Sequence, residues 1–302
     1  MTAEPVLLTR DEDGVRTLTL NRPHRKNAID AELWAALADA LREVATDRSV
    51  RALVITGAGG AFCSGADISV PDNAHPIYRM RALTDVAALL YELPLPTIAS
   101  VTGVAVGAGW NLALGCDLVV AAAEASFSQI FAKRGLSMDL GGSWLLPRLV
   151  GLQQAKRLAM LAETLDAAQA HALGLVTWVV PGAEIDAFTA DLAARLAAGP
   201  PVALAQIKAL LNDGSASTHR EALAAEARAQ GLNFATADAK EAFAAFAARR
   251  EPTYTGRWLI ERPPIRSADG RRAGDAPSTA SATSGHDGAL SGGNAVSNDT
   301  GR

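Results

Sequence analysis

The chain reads as an α/β protein: parallel strands joined by helices in its first part, then a mainly helical C-terminal part. Three observations carry this. Short aliphatic runs alternate with stretches of helical apolar period as far as Ala121. Gly/Ala-rich turns follow two of those runs. From Leu152 onward helical period dominates. Strands alternating with helices imply parallel pairing with right-handed crossovers.

In order, Val6–Arg10 and Val15–Leu20 flank the turn Asp11-Glu12-Asp13-Gly14 and predict a β-hairpin. Asp30 caps a helix whose apolar positions are Leu33, Trp34, Leu37, Leu41 and Val44. Ala52–Thr56 is a buried strand ending at Gly57, and a helix follows around Ile77–Tyr91. Pro94 and Pro96 end that helix before the strand Thr97–Val101. A second Gly-rich turn leads into a short helix and then the strand Asp117–Ala121. Helices are expected over Leu152–Ala162, Ala167–Leu173, Ile185–Ala198 and Val202–Leu211, with one long helix from Thr218 to Arg250. Val176–Val180 is the one strand expected in this part, and no internal repeat is visible. From Ser267 the composition falls to Gly, Ser, Ala, Asp and Asn, too little apolar surface to offset ordering entropy, so 267–302 is expected to be a disordered tail.

The 302 residues are 49% hydrophobic and 20% charged, with ample length for a large core. A net charge of −4 argues against a nucleic-acid partner. No run reaches the ~18 apolar residues of a membrane span. The N-terminus shows no secretory pattern, and Cys63 and Cys116 are far apart, so reduced thiols in the cytoplasm are expected. The five histidines show no ligand-type pairing, so no metal site is expected.

Asp139 is the most informative residue. It is the only acidic residue between Glu124 and Glu163, in an otherwise apolar, small or basic run. Lost hydration raises a carboxyl pKa, and a raised pKa lets one group take and return a proton near neutrality. An exposed Asp in a turn before Gly141-Gly142 is the alternative. The two turns, Gly57–Ile68 and Gly103–Asn111, have small side chains that let backbone N–H groups approach a ligand closely. Two such groups on one carbonyl oxygen make an oxyanion hole, in which each donor is worth ~3–4 kcal/mol. Tight turns chosen for packing are the alternative. A dinucleotide fingerprint, a P-loop and a Gly-x-Ser-x-Gly elbow are all missing.

Five segments together resemble the crotonase (enoyl-CoA hydratase/isomerase) family, in order over about residues 5–260. They are Asn21-Arg22-Pro23 with Lys26-Asn27-Ala28; Phe62–Ile68; Gly103–Asn111 with Ala113–Asp117; Phe127-Ser128-Gln129 through Gly151; and Glu251–Arg257. The resemblance implies a ββα spiral core over 1–200 and a C-terminal helical trimerisation region over 201–266. It implies trimers or dimers of trimers acting on an acyl-CoA thioester, with coenzyme A arriving as part of the substrate and no further cofactor. It implies the N–H groups of Ala66 and Ala108 as oxyanion donors and a coenzyme A contact along Ser64, Gly65, Asp67 and Ile68. Gly107 belongs to the second turn. Arg25 or Lys26 would meet coenzyme A phosphates, with Arg25 as a solvated charge the alternative. Arg249 or Arg250 would reach a neighbouring subunit's ligand.

The family's hydratases carry two water-activating glutamates, and their positions here hold Asn111 and Phe131. Asp139 falls where dienoyl-CoA and ring-epoxide phenylacetyl-CoA isomerases carry an acid/base aspartate. An isomerase working through Asp139 is the expectation. A single-acid hydratase and a catalytically silent acyl-CoA-binding protein are the alternatives. Trp144, Phe127, Ile130 and Met138 either line an acyl pocket or pack the core. Asn111 either contacts substrate or Asp139, or satisfies a backbone group at its helix start.

Overall fold

The computed structural model describes residues 4–69 and 75–259. The expected tail lies outside the described residues. The main sheet is built from β1 (Leu7–Glu12), β2 (Val15–Leu20), β3 (Ala52–Gly57), β4 (Thr97–Val101), β6 (Leu118–Ala122) and β9 (Trp178–Val180). Its order is β1-β2-β3-β4-β6-β9; β1 runs antiparallel to β2, and every other pairing is parallel. A smaller sheet holds β5 (Val104–Val106), β7 (Ser126–Ser128) and β8 (Thr164–Asp166), which the sequence reading did not separate out. Each is three residues long, too short to show a period.

Period-2 alternation sends β3 both ways. Leu53 and Ile55 face a core with α1 (Ala31–Thr46) and α2 (Pro76–Glu92), and Val54 faces α7 (Ile185–Ala197). Asp30 caps α1 by accepting the Leu33 N–H. All five apolar positions expected on α1 are buried. Removing one such side chain, as in Leu37→Ala, costs about 2–5 kcal/mol. Arg16, only 4% exposed, ties α1 to the hairpin through Asp11, Glu43 and Asp47.

Helices α3 (Ala108–Leu114) and α6 (Ala167–Ala172) pack on strands of both sheets, and α4 (Gly142–Val150) packs on α3 and on α5 (Leu152–Leu161). The C-terminal helices are α8 (Pro201–Gly214), α9 (His219–Phe234) and α10 (Ala237–Ala248). Two expectations are corrected. The long helix over 218–250 is two helices. Thr236 breaks it by capping α10 through the Ala239 N–H, while the Ala237 N–H is drawn to the Arg257 carbonyl. Alanine-rich periodicity cannot register that competing partner. Val176–Val180 is also not the one strand beyond Leu152: β9 begins at Trp178, and β8 precedes it.

Candidate active site

The site is assembled where the two glycine turns run side by side. Cys63 pairs in parallel with Ala105 of β5: its N–H goes to the Val104 carbonyl at 2.9 Å, and its carbonyl takes the Val106 N–H at 2.9 Å. One segment then enters the turn at Gly65-Ala66 and the other the turn at Gly107-Ala108, both glycines with positive φ. Gly65 has φ +98, and a Cβ there would meet the Val106 carbonyl at 2.9 Å and stand 3.7 Å from the Ala108 nitrogen. Ala66 also bridges Ile29, but the bonds of that bridge use the Gly65 carbonyl and the Asp67 N–H. The Ala66 N–H is left over. Ala108 begins α3, so its N–H has no intrahelical acceptor. Neither N–H has a hydrogen-bond partner among the described residues.

A cavity of about 360 Å³ opens over this pair, lined by Arg25, Ser64, Gly65, Ala66, Asp67, Ile68, Gly107, Ala108, Phe131 and Asp139, among others. The structure thus gathers ten of the thirteen site residues read from the sequence. Phe131 is buried, and its ring would touch a Cβ placed on Gly107 at 3.6 Å. Ser64 holds the rim by donating its hydroxyl to the Arg25 carbonyl at 3.1 Å.

Asp139 faces this cavity with Oδ1 buried and without a hydrogen-bond partner among the described residues. Burial pushes its carboxyl up to about 6; its own backbone, the Arg79 charge and the Asn111 amide oppose that less strongly. The turn that presents it, Leu140-Gly141, has two successive positive φ values, +47 and +77. Asp67 is the opposite case. Oδ1 accepts from the Ser69 hydroxyl at 2.6 Å and the Ser69 N–H at 3.0 Å, and Oδ2 accepts from Arg22 at 2.9 Å. The Ser69 bonds, with Arg22 behind them, hold its carboxyl down to about 2. Arg22 also pairs with Asp30 at 3.0 Å and donates to the Ala28 carbonyl, pinning the first turn. A ligand at Asp67 therefore meets its backbone, not a vacant carboxylate.

Three of the residues read from the sequence stand elsewhere. Lys26 is exposed in a left-handed turn (φ +50) beside the cavity, outside its lining. Asn111 is 1% exposed. It donates to the Asp139 main-chain carbonyl at 3.0 Å and accepts from Gln129 at 2.8 Å. Trp144 lines a second, nearly wholly apolar cavity of about 300 Å³ with Tyr91, Leu140, Gly141 and one side of Asn111. Tyr91 meets its ring edge-on at 5.3 Å, and the Arg148 guanidinium lies 3.7 Å over it. Phe127 is core, packed on Trp110. Arg22 and Gln129 were not read as site residues, since their partners are 45 and 18 positions away. Among the described residues no cluster of three or more His, Cys, Asp or Glu could hold a metal, and no helix is long and apolar enough to cross a membrane.

Two N–H groups without partners among the described residues thus line one cavity with a buried carboxyl. The enoyl-CoA hydratase/isomerase family profile matches residues 10–257, and the chain belongs to that family. It is 40% identical over 260 residues to the 1,2-epoxyphenylacetyl-CoA isomerase of Escherichia coli (strain K12), covering 83% of this chain and 98% of that one. It is 35% identical over 258 residues to the crotonyl-CoA hydratase of Syntrophomonas wolfei, covering 84% and 99%. Its fold matches the enoyl-CoA hydratase structure from Mycobacterium smegmatis with a TM-score of 0.78 at 36% identity, covering 83% and 99%. A Streptomyces coelicolor A3(2) structure matches with a TM-score of 0.81 at 39% identity, covering 85% and 96%.

Proposed function

We propose that the chain is an acyl-CoA isomerase that shifts a double bond, or rearranges a ring epoxide, with Asp139 as the proton shuttle. The observation that carries this reading is a buried carboxyl oxygen sharing a cavity with two N–H groups, all three without a hydrogen-bond partner among the described residues. The thioester oxygen accepts from Ala66 and Ala108, which stabilises negative charge as it develops there. The α- or γ-hydrogen becomes acidic, and ionised Asp139 removes it. The same carboxyl returns the proton at another carbon of the π system, so no atom is gained or lost. A carboxyl held at about 6 suits both halves. Asp67 cannot share the work because its oxygens are occupied, and Asn111 and Phe131 exchange no proton.

In this reading the backbone from Ser64 to Ile68 meets coenzyme A, with Arg25 near its phosphates; Arg250 is engaged with Glu241. The thioester brings its own coenzyme A, and the steps as written draw on no further cofactor. Burial of the unpaired thiols of Cys63 and Cys116 is in keeping with a cytoplasmic protein. A homotrimer or dimer of trimers is supported by large apolar side chains left exposed on the C-terminal helices, Phe234, Phe243 and Phe246 at 60%, 65% and 86%. Sedimentation of the purified protein tests it; a monomer would refute it.

A single-acid hydratase is the second reading, favoured by the similarity to the crotonyl-CoA hydratase. One experiment separates the two. Protein and its Asp139→Asn variant each receive a 3-enoyl-CoA, with mass detection of product. Isomer at unchanged mass from the first and none from the second supports the shuttle. A gain of one water that survives the substitution supports the hydratase. Binding without turnover of any enoyl-CoA would leave a silent acyl-CoA-binding protein.

A further inference from the structure

A proton shuttle must be aimed, and Asp139 sits on a turn. Its main-chain carbonyl is held twice, by the Gly142 N–H at 2.9 Å and by Asn111 Nδ2 at 3.0 Å. Asn111 is seated closely on that turn: a Cβ at Gly142 would fall 2.4–2.6 Å from its amide atoms. A primary amide is nearly symmetric in shape but opposite in polarity at its two ends. Packing alone therefore leaves undecided whether Asn111 presents N–H or oxygen to Asp139. Gln129 decides it. It is wholly buried just after β7, and its Nε2 donates to Asn111 Oδ1 at 2.8 Å. With that oxygen taken, the amide nitrogen of Asn111 is the end that meets the Asp139 segment. Gln129 Oε1 has no partner among the described residues, an unmet buried acceptor that costs free energy. What the fold holds in return is the direction of the relay.

We propose that Gln129 is a positioning residue which, by fixing the amide of Asn111, holds the Asp139 carboxyl in place over the two free N–H groups. The proposal rests on the proton-shuttle reading for its kinetic consequence, not for its geometry. Without the donor, Asn111 can turn its oxygen toward the Asp139 carbonyl, and the turn loses an anchor. The charged groups facing Asp139 are otherwise unchanged: Arg79 from α2, and Arg25, Asp67 and Arg134 around the cavity. A loss of Asn111's bond, which lowers the Asp139 carboxyl, would then move its titration upward.

The test uses Gln129→Met, which keeps volume and removes the donor. The carboxyl ¹³C titration of Asp139, assigned by its loss in Asp139→Asn, should move up by about half a pH unit. Turnover of the 3-enoyl-CoA should fall about tenfold with KM within about twofold. In an Asn111→Ala background the same substitution should add nothing, because the two residues act as one unit. An unmoved titration, or effects that multiply in the double variant, would overturn the proposal. If the parent protein turns over no enoyl-CoA, the shuttle reading fails while the titration still decides the relay. Should the Met variant not fold, Gln129→Glu keeps the shape and loses the donor only once ionised, so the shift then appears only on the alkaline side of that carboxyl.

Discussion

Asp67 and Asp139 line one cavity and differ in almost everything else. Asp67 has every oxygen occupied, by Ser69 and Arg22, and is held down to about 2. Asp139 has a buried oxygen without a partner among the described residues and is pushed up to about 6. The residue type is the same and the cavity is the same; the immediate surroundings separate them. A carboxylate with three donors is a fixed charge that holds a loop. A carboxyl without them is unstable as an anion and able to exchange a proton. In the proposed reading, that difference gives a structural part to one and the chemistry to the other.

The largest effect should come from removing the reactive member. Asp139→Asn is expected to lower isomerisation by about 10²–10⁴-fold, the range for a lost general acid–base, read from 3-enoyl-CoA turnover. Equal turnover in both proteins would erase the contrast.

Asp67→Asn should act on stability first. Arg22 is 10% exposed as a side chain and Asp67 4%, so the change leaves a buried charge short of a partner, at about 3 kcal/mol. Urea unfolding measures it. The sign with pH follows from the lowered carboxyl: the advantage of the parent protein is present above about pH 4 and fades as pH falls toward 2.

Asp139 should show the reverse sign. Its raised carboxyl means the folded chain holds a proton that the unfolded chain has released, so stability declines as pH rises from about 4 to 6 and stays lower above. Asp139→Asn should therefore be more stable than the parent by up to about 3 kcal/mol at pH 8, and little different at pH 4. A variant that loses activity while gaining stability is what a reactive buried group predicts. The smallest effect is expected for Ser69→Ala, about 1 kcal/mol, with a rise in the Asp67 titration and none in that of Asp139. Carboxyl NMR of both residues in one sample checks this.

Much of this was legible beforehand. Asp139 stands out as a lone acid in an apolar run, and the turns carry their own signature because only glycine tolerates φ +98 at Gly65 or the approach to Cys63 at Gly109. The hairpin and the buried strands follow from short-range pattern, and α1 from its cap and period. The failures share a cause. Thr236 ends a helix because Arg257 offers its neighbour another acceptor. Trp144 faces a second cavity because α2 brings Tyr91 to it. Neither fact exists within one stretch of chain.

By itself, the sequence determined the hairpin, the longer buried strands and most of the helices, where the backbone must turn without side chains, and which carboxyl lacks polar neighbours along the chain. Those are local properties, set by propensity, sterics and composition. The tertiary structure alone decided that Arg22 and Ser69 saturate Asp67, that Asn111, held by Gln129, reaches the Asp139 main chain, and that Ala66 and Ala108 line the same cavity. Hydrogen bonds and burial depend on distance in space, and the parallel crossing at Cys63 and Ala105 brings together residues that lie some forty positions apart in the chain.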